Sequence, residues 1–360
     1  MQRMFSRFAV SLCALLVAVA ANGQTIDLAQ RGGWIVKHGQ CVHCQSPLNL
    51  SQVLFVNDRS IWASAYFLPE GSGTGISTIL RTSDGGDHWK HLAFAQQQSA
   101  ELEPAISIVD AKNVWIASFD SGNATGILHR TVDGGRLWTH KPCAAIVALR
   151  FFDGTHGYGI GSDLTGAFFY DTSDGGEHWN TKALPLSHVQ LMDFADASTG
   201  IVIGLARDDT GAQPAALRTS NGGQDWVKEA LPGVMPGARP TSLARKDTKT
   251  LLLSILLAND NGSMLVRTDD DGLTWRTVAN GPFVGPNMAI RAAVLARSGK
   301  GYVFYTDMGI GHGYVSKTKD DGATWSTAES SMSVSWCGFR ETSIVCTSGM
   351  NVARMALDTD

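Results

Sequence analysis

The sequence is poor in charged residues and has no long apolar run beyond its first 23 residues. Charged residues make up 17% of the 360, and 29 Lys and Arg stand against 33 Asp and Glu, which gives a formal net charge of −4. Without a basic excess the chain has little with which to neutralise phosphates, so we expect no nucleic-acid partner. We also expect no membrane span beyond residue 23. Because P-loop and zinc-protease motifs are missing, we expect no cofactor.

Glycine and tryptophan are abundant instead. The chain has 39 Gly, 11 Pro and 10 Trp, and 44% of its residues are hydrophobic. So much apolar sequence is enough for a large core, which excludes a disordered chain. The many turn-forming residues argue against helical bundles and coiled coils. An all-β protein with many short strands fits this composition.

The first 23 residues have the features of a secretory signal peptide. Two arginines precede an apolar run over residues 8–21, and small residues follow it. A run of about 14 residues is too short to span a bilayer, so we expect cleavage within residues 20–24 rather than a membrane anchor. Residues 24–360 would then form a single domain, secreted or periplasmic, which we expect to be a monomer.

One eight-residue motif recurs six times along the chain. Its first copy is Thr82-Ser-Asp84-Gly-Gly86-Asp-His-Trp89, and the tryptophans of successive copies are 41 to 50 residues apart. A nearly constant period of this length indicates a propeller or a solenoid. The acid positions of the six copies are Asp84, Asp133, Asp174, Asn221, Asp270 and Asp320, and the aromatic positions are Trp89, Trp138, Trp179, Trp226, Trp275 and Trp325.

The motif predicts a tight turn between two strands. The carboxylate can accept backbone N–H bonds within the turn, and glycine supplies the positive φ that the turn needs. The tryptophan starts the returning strand and packs beneath the turn. The pattern resembles the Asp-box, or BNR, repeat. We interpret the six boxes as structural and assign no catalytic residue to them.

Between successive boxes lies a pair of apolar strands joined by a polar turn, as in residues 106–118 and 189–203. Seven such pairs occur, and each repeat then has four antiparallel strands, which is one blade of a propeller. We therefore predict an all-β seven-bladed β-propeller, with six blades as the alternative. Since the last unit lacks its outer strand, we expect residues 32–37 to pair with residues 351–357 and close the ring.

Two groups of Asp-box proteins resemble this chain. Its segments 61–64, 79–86 and 157–161 are similar to the repeats of the photosystem II assembly and stability factor (Ycf48-like) family, which implies a non-catalytic docking platform. Sialidase-like glycosidases are more distant, because their Arg-Ile-Pro segment before the first blade is absent here. We predict an exported scaffold that binds a protein or glycan partner. The alternative is a sialidase-like glycoside hydrolase.

The longer loops are expected to share one face of the propeller, opposite the Asp boxes. We call this end the loop face. Paired carboxylates there could catalyse glycoside hydrolysis if they lay roughly 5 to 9.5 Å apart. Asp208, Asp209 and Asp307 could instead hold Ca²⁺, although no fixed ligand spacing supports it. The candidate binding residues are Glu70, Glu101, Glu103, Asp120, Arg207, Asp208, Asp209, Arg239, Asp307 and His312.

The cysteines suggest disulfides, since an exported protein meets an oxidising compartment. A two-residue turn at 341–342 would place Cys337 opposite Cys346, at a site where antiparallel strands approach closely enough for a disulfide. Cys41 and Cys44 lie in the least repeat-like segment. They could form a disulfide, act as a redox pair, bind metal with nearby histidines, or remain free. Cys143 could be free or pair with one of these two.

Overall fold

A computed structural model describes the chain between residues 34 and 356, with short gaps. The described residues are 34–38, 40–42, 49–57, 59–67, 76–97, 104–120, 125–208, 211–260, 262–278, 281–326, 329–331, 336–340, 343–348 and 351–356. The predicted signal peptide, Cys44 and the loop-face residues Glu70, Glu101, Glu103 and Asp209 lie outside these ranges.

The described strands form seven sheets, numbered I to VII in chain order. The chain starts with β1 (Trp34–His38) and β2 (Gln40–Val42). Sheet I contains β3 (Asn49–Phe55), β4 (Ile61–Phe67), β5 (Ile76–Thr82) and β6 (His88–Gln97). Sheet II contains β7 (Ala105–Ile108), β8 (Val114–Asp120), β9 (Thr125–Thr131) and β10 (Thr139–Cys143). Sheet III contains β11 (Ile146–Phe151), β12 (Gly157–Asp163), β13 (Gly166–Thr172) and β14 (Asn180–Leu184).

The later sheets repeat this order. Sheet IV contains β15 (His188–Phe194), β16 (Gly200–Asp208), β17 (Gly211–Thr219) and β18 (Val227–Glu229). Sheet V contains β19 (Arg239–Arg245), β20 (Leu251–Leu256), β21 (Ser263–Thr268) and β22 (Arg276–Thr277). Sheet VI contains β23 (Met288–Leu295), β24 (Gly301–Asp307), β25 (His312–Thr318) and β26 (Glu329–Ser331). Sheet VII contains β27 (Trp336–Arg340), β28 (Ser343–Ser348) and β29 (Asn351–Ala356), together with β1.

The sheets form an all-β propeller of antiparallel four-stranded sheets, as predicted. We call the strands of each sheet A to D from the central axis outward. The A strands of neighbouring sheets contact one another in turn from β7 to β27, and β27 also touches β3. Within the described ranges the helical structure is limited to a 3₁₀ turn at Ala258–Asp260, and no helix there could cross a membrane.

The two ends of the chain meet in sheet VII. Strand β1 pairs antiparallel with β29, with Trp34 opposite Met355 and His38 opposite Asn351. The expected pairing between the N-terminal strand and residues 351–357 is therefore confirmed. In the same sheet Cys337 lies opposite Cys346, which is the predicted register. The register continues to Arg340 opposite Ser343 at the end of the two strands.

Strand β2 is an addition that the repeat pattern does not predict. It pairs in parallel with the outer strand of sheet I, so that Cys41 lies opposite Trp89. Sheet I therefore has five strands, whereas the other sheets have four. The short parallel pairing covers part of an edge that would otherwise expose unpaired N–H and C=O groups.

The hydrophobic core lies between neighbouring sheets. The Asp-box tryptophan of one sheet packs against the sheet before it: Trp138 meets Trp62 edge to face at 5.8 Å, and Trp226 meets Phe169 at 5.2 Å. Along each strand, alternate residues face the sheets on either side. Strands buried on both faces therefore read as almost continuous apolar runs, such as Leu251–Leu256.

Candidate functional site

The Asp-box turns are held by hydrogen bonds around one carboxylate oxygen. In the first box Thr82 Oγ1 donates to Asp84 Oδ1 at 2.7 Å, and the amide of Gly86 donates to Thr82 Oγ1 at 3.1 Å. The amide of His88 donates to the same Asp84 oxygen at 3.0 Å. Gly85 and Gly86 have φ values of 85° and 105°, which glycine adopts at little cost. These bonds are fully used within the turn, so they hold structure rather than a ligand.

The hydrogen bonds of the box turns also stabilise the ionised form of the box carboxylates. A hydrogen bond from the backbone amide of His178 and one from its ring lower the pKa of Asp174 to about 2. Hydrogen bonds from the side chain and the amide of Thr324 lower the pKa of Asp320 to about 2. Asn221 fills the same position in the fourth box and accepts a backbone amide at 2.9 Å. A neutral amide can therefore replace the carboxylate, which argues that the boxes need its hydrogen bonds more than its charge.

The residue before the box threonine ties neighbouring sheets together. At four boxes this residue is an arginine whose guanidinium donates to a backbone carbonyl of the next sheet. We call these four the bridging arginines. Their pairs are Arg81 with Gly134, Arg130 with Gly154, Arg218 with Asp271, and Arg267 with Asp321.

The predicted loop-face residues that the structure describes lie at one end of the propeller. Asp307 lies opposite His312 across the turn between the B and C strands of sheet VI, and Asp120 holds the same turn position in sheet II. Arg207 is exposed at the end of the B strand of sheet IV, just before Asp208. Arg239 starts β19 at this same end.

These residues are distributed over several sheets rather than gathered into one cluster. Asp307 Oδ1 accepts the amide of Gly309 at 2.8 Å and so closes its own turn. The ring of His312 packs against Tyr314 at 4.9 Å. In the described part of the chain, no group of three or more His, Cys, Asp or Glu side chains could hold a metal ion. The calcium and glycosidase alternatives stay predictions.

A channel of about 900 Å³ runs along the propeller axis, lined by the A strands of sheets I to VI. Among its charged lining residues, Arg150, Arg245, Lys246, Arg291 and Arg297 are cationic, and Asp193 and Asp247 are anionic. The chain as a whole is anionic, so this basic excess is a local feature. Fields inside a narrow cleft are focused, which favours an anionic ligand.

Most of these side chains lie where the A strands end, on the Asp-box face. We call this end of the channel the charged mouth. It consists of Arg150, Asp193, Arg245, Lys246, Asp247 and Arg297, which come from the neighbouring sheets III to VI.

Lys246 and Arg245 are equally buried cations of the charged mouth, and Arg245 is the one that contacts two carboxylates. Its side chain is 13% exposed, pairs with Asp193 of sheet IV, and donates to Asp271 Oδ1 at 3.1 Å. Asp271 in turn pairs with Arg218 at 3.4 Å. Nη2 of Arg245 is buried and has no hydrogen-bond partner in the described residues.

The position of Arg245 departs from the repeat. Counted back from the turn between the A and B strands, the same position is apolar in five other sheets. The residues there are Phe55, Ile108, Phe151, Phe194 and Leu295. Burying a guanidinium where the fold elsewhere buries hydrocarbon costs solvation that only well-placed carboxylates offset. A departure of this kind is expected at a functional site.

Arg150 and Arg297 complete the charged mouth at the surface. Both side chains are exposed and have no ion-pair partner among the described residues. Arg150 stacks on Phe152 at 5.8 Å. Arg297 holds the turn position that Asp153 and Asp247 hold in sheets III and V, where those acids accept two backbone amides each. In sheet VI, therefore, an exposed arginine replaces the carboxylate that accepts backbone amides in sheets III and V.

Part of the chain matches a known protein family. Residues 141–306 match the family of the Photosynthesis system II assembly factor YCF48. The resemblance to this family is confirmed. The matched stretch includes every residue of the charged mouth. No curated protein matches the sequence.

Solved structures agree on the fold. The structure described as "YCF48 bound to D1 peptide" shares 14% identity, with a TM-score of 0.62 over 91% of this chain and 96% of that one. A GH74 xyloglucanase from Xanthomonas campestris shares 13% identity, with a TM-score of 0.55 over 90% of this chain and 54% of the enzyme. Hydrazine synthase of Kuenenia stuttgartiensis shares 10% identity, with a TM-score of 0.58 over 89% and 98%. Identities this low show the propeller fold and nothing about activity.

None of the residues of the charged mouth is among the candidate binding residues predicted from the sequence. Their signal was nevertheless available, because aligning the A strands places Arg245 in a column of apolar residues and Arg297 in a column of Asp and Asn. Read alone, an arginine at the end of a strand looks like an ordinary solvated side chain. The repeat itself supplies the reference that makes it stand out.

Proposed function

We propose that this protein is a non-catalytic assembly module that binds a protein partner by an acidic segment held at the charged mouth. The observation that carries the proposal is the basic excess of the charged mouth, where Arg245 stands in a column that is apolar in five other sheets. The exposed Arg150 and Arg297 flank the same opening. Carboxylates bind arginine through paired, charge-assisted hydrogen bonds, which favours an acidic side chain or a chain terminus as the occupant.

Two further observations support a peptide rather than a folded surface as the occupant. The channel volume of about 900 Å³ suits a short extended segment, and the channel opens directly at the charged mouth. A protein of similar fold, YCF48, has been solved with a D1 peptide bound. The family match covers sheets III to V and the A strand of sheet VI with the turn that follows it, which together hold the residues of the mouth.

The test measures binding of a fluorescein-labelled peptide that has three acidic residues and a free α-carboxylate. Replacing Arg150 and Arg297 together by glutamine should weaken binding about tenfold, since each exposed charge contact contributes up to about 1 kcal/mol. Affinity should also fall as salt rises. The matched control is Arg207→Gln, which removes an exposed arginine from the loop face.

Two results would contradict the proposal. If Arg207→Gln abolished binding and the double variant did not, the loop face would be the binding surface. Turnover of fluorogenic sialosides or glucans by the purified protein would favour the glycoside hydrolase alternative. Neither result would follow from an acidic segment held at the charged mouth.

We also propose that the protein acts outside the cytoplasm with a disulfide between Cys337 and Cys346. The apolar run at residues 8–21 and the register of these two cysteines support this. Burial raises the pKa of the Cys143 thiol to about 12, so that thiol should resist alkylation in the folded protein. The disulfide is tested by alkylating the unfolded protein with and without reductant and measuring the labelled cysteines by mass spectrometry. The mass of the intact chain shows in the same experiment whether the predicted signal peptide has been removed. Equal labelling of Cys337 and Cys346 in both samples would refute the disulfide.

A further inference from the structure

The interface between sheets III and IV lacks the contact that the bridging arginines make elsewhere. At the position directly before the box threonine, Arg81, Arg130, Arg218 and Arg267 are replaced here by Asp171. An aspartate side chain is too short to cross to the next sheet. In the described residues, no side chain makes the bond to the Gly222 carbonyl that Arg218 makes to the Asp271 carbonyl at 2.9 Å.

A polar pocket of about 720 Å³ occupies this place on the Asp-box face. Its lining includes Asp171, Asn180, Lys182, Asn221 and Gly222. Asp171 Oδ1 accepts one bond, from Asn180 Nδ2 at 3.0 Å, and the structure shows no ion pair for this carboxylate. The remaining acceptor capacity of the carboxylate faces a cavity rather than a neighbouring sheet.

Tyr158 forms the inner wall of the pocket and partly replaces the missing arginine. Its hydroxyl donates to the carbonyl of Ala197 in sheet IV at 2.6 Å. Burial, followed by the charges of Asp171 and Asp196, raises the pKa of Tyr158. The pocket lining has one carboxylate, Asp171, and one cation, Lys182, and no ion pair joins them.

We propose that this pocket binds the guanidinium group of a ligand, which pairs with Asp171 and donates to the Gly222 carbonyl. The ligand then supplies from outside the contact that a bridging arginine supplies from within at four other interfaces. A guanidinium presents several N–H donors in a planar fork, so it can serve a carboxylate and a carbonyl together, whereas an ammonium group cannot match both directions as well. The inference is independent of the acidic segment proposed for the charged mouth.

The guanidinium group is either that of an arginine side chain in a peptide or that of a small guanidine compound. Two probes separate these sources: the tripeptide acetyl-Gly-Arg-Gly-amide and agmatine. The same tripeptide with citrulline in place of arginine keeps the shape but loses the charge. Calorimetric titration should show binding of at least one guanidinium probe, at least tenfold tighter than the citrulline peptide.

Two substitutions at one position make the test sharp. Asp171→Asn should weaken guanidinium binding at least tenfold, because it removes the charge and keeps the shape. Asp171→Arg should abolish binding and raise the melting temperature, because the introduced side chain fills the pocket and bridges the sheets. Lys182→Gln should tighten binding severalfold, since it removes the competing cation. Asp153→Asn is the matched control, which removes a carboxylate from a turn on the same face and should leave binding unchanged.

Equal affinity for the arginine and citrulline tripeptides would overturn the proposal, provided agmatine did not bind either. So would unchanged affinity in Asp171→Asn. Retained binding in a folded Asp171→Arg protein would place the ligand elsewhere and have the same consequence. Because Asp171→Asn changes neither size nor a core contact, its result does not depend on whether the arginine variant folds.

Discussion

Lowering the pH from 7.5 to 4 should destabilise the protein through His129, a buried histidine in sheet II. The residue is 2% exposed. Nε2 lies 2.7 Å from Ser118 Oγ, and Nδ1 lies 2.6 Å from Nδ1 of His140. Across the short contact between the two histidines, one Nδ1 must donate a hydrogen bond and the other must accept it. If both rings carried a positive charge, both Nδ1 atoms would be donors and no hydrogen bond could form between them. Burial, followed by the charge of His140, lowers the pKa of His129 from 6.5 to about 4.

The sign and size of the effect follow from these values. Because the pKa is lower in the folded state, the unfolded chain binds the proton first as the pH falls. Stability is therefore complete above pH 6.5, is lost progressively between pH 6.5 and pH 4, and changes no further through this residue below pH 4. The loss amounts to about 3 kcal/mol, since each pKa unit corresponds to about 1.4 kcal/mol. A typical domain has only about 5 to 15 kcal/mol of unfolding free energy, so the change is easily measured.

Urea unfolding of the wild type and of His129→Gln at pH 7.5 and pH 4 tests this reasoning. Between the two pH values the wild type should lose about 3 kcal/mol more than the variant. His156→Gln is the control, because that ring is exposed on a turn, and its pH dependence should follow the wild type. Equal losses in wild type and His129→Gln would show that His129 does not titrate between the two states, and the argument would fail.

Two further predictions concern the contacts that hold the sheets and the turns. Arg218→Gln should lower the unfolding free energy by about 2 to 4 kcal/mol in urea titrations, because it leaves Asp271, whose side chain is 9% exposed, without that partner. A loss of unfolding free energy below 0.5 kcal/mol would show that the Arg218–Asp271 contact does not stabilise the protein. Asp174→Ala should lower the melting temperature measured by circular dichroism, whereas Asp174→Asn should leave it nearly unchanged, since Asn221 performs the same role in another box. Equal melting temperatures for the two variants would refute the account of the turn.

The periodic features of the fold could be predicted from the sequence because they depend on local chemistry. The Asp-box turn is written in eight consecutive residues, and the positive φ of Gly85 and Gly86 follows from the same stretch. The register of Cys337 and Cys346 needs only the length of one turn. The pairing of β1 with β29 spans the whole chain, yet it follows from counting strands and noticing that one is missing.

The contacts between sheets could not be predicted in this way. Arg81 reaches a carbonyl 53 residues away, and Arg245 meets Asp193 across 52 residues. Each contact depends on how far a long side chain extends across a gap whose width is set by packing. The parallel pairing of β2 with β6 was hidden for a similar reason, because three residues outside the repeat carry no pattern that specifies a partner.

In a repeat protein, each position can be compared with the equivalent positions of the other repeats. Both proposals depend on a residue that differs in charge from its equivalents. Arg245 places a cation where five equivalent positions are apolar, and Asp171 places an anion where four of the five other boxes have a bridging arginine. Each exchange forgoes stabilisation that the same fold obtains elsewhere in the chain. For Asp171 this can be measured, because restoring arginine should strengthen the interface between sheets III and IV. If Asp171→Arg raises the melting temperature and leaves the fold unchanged, stability alone does not account for the aspartate, and a role in binding does.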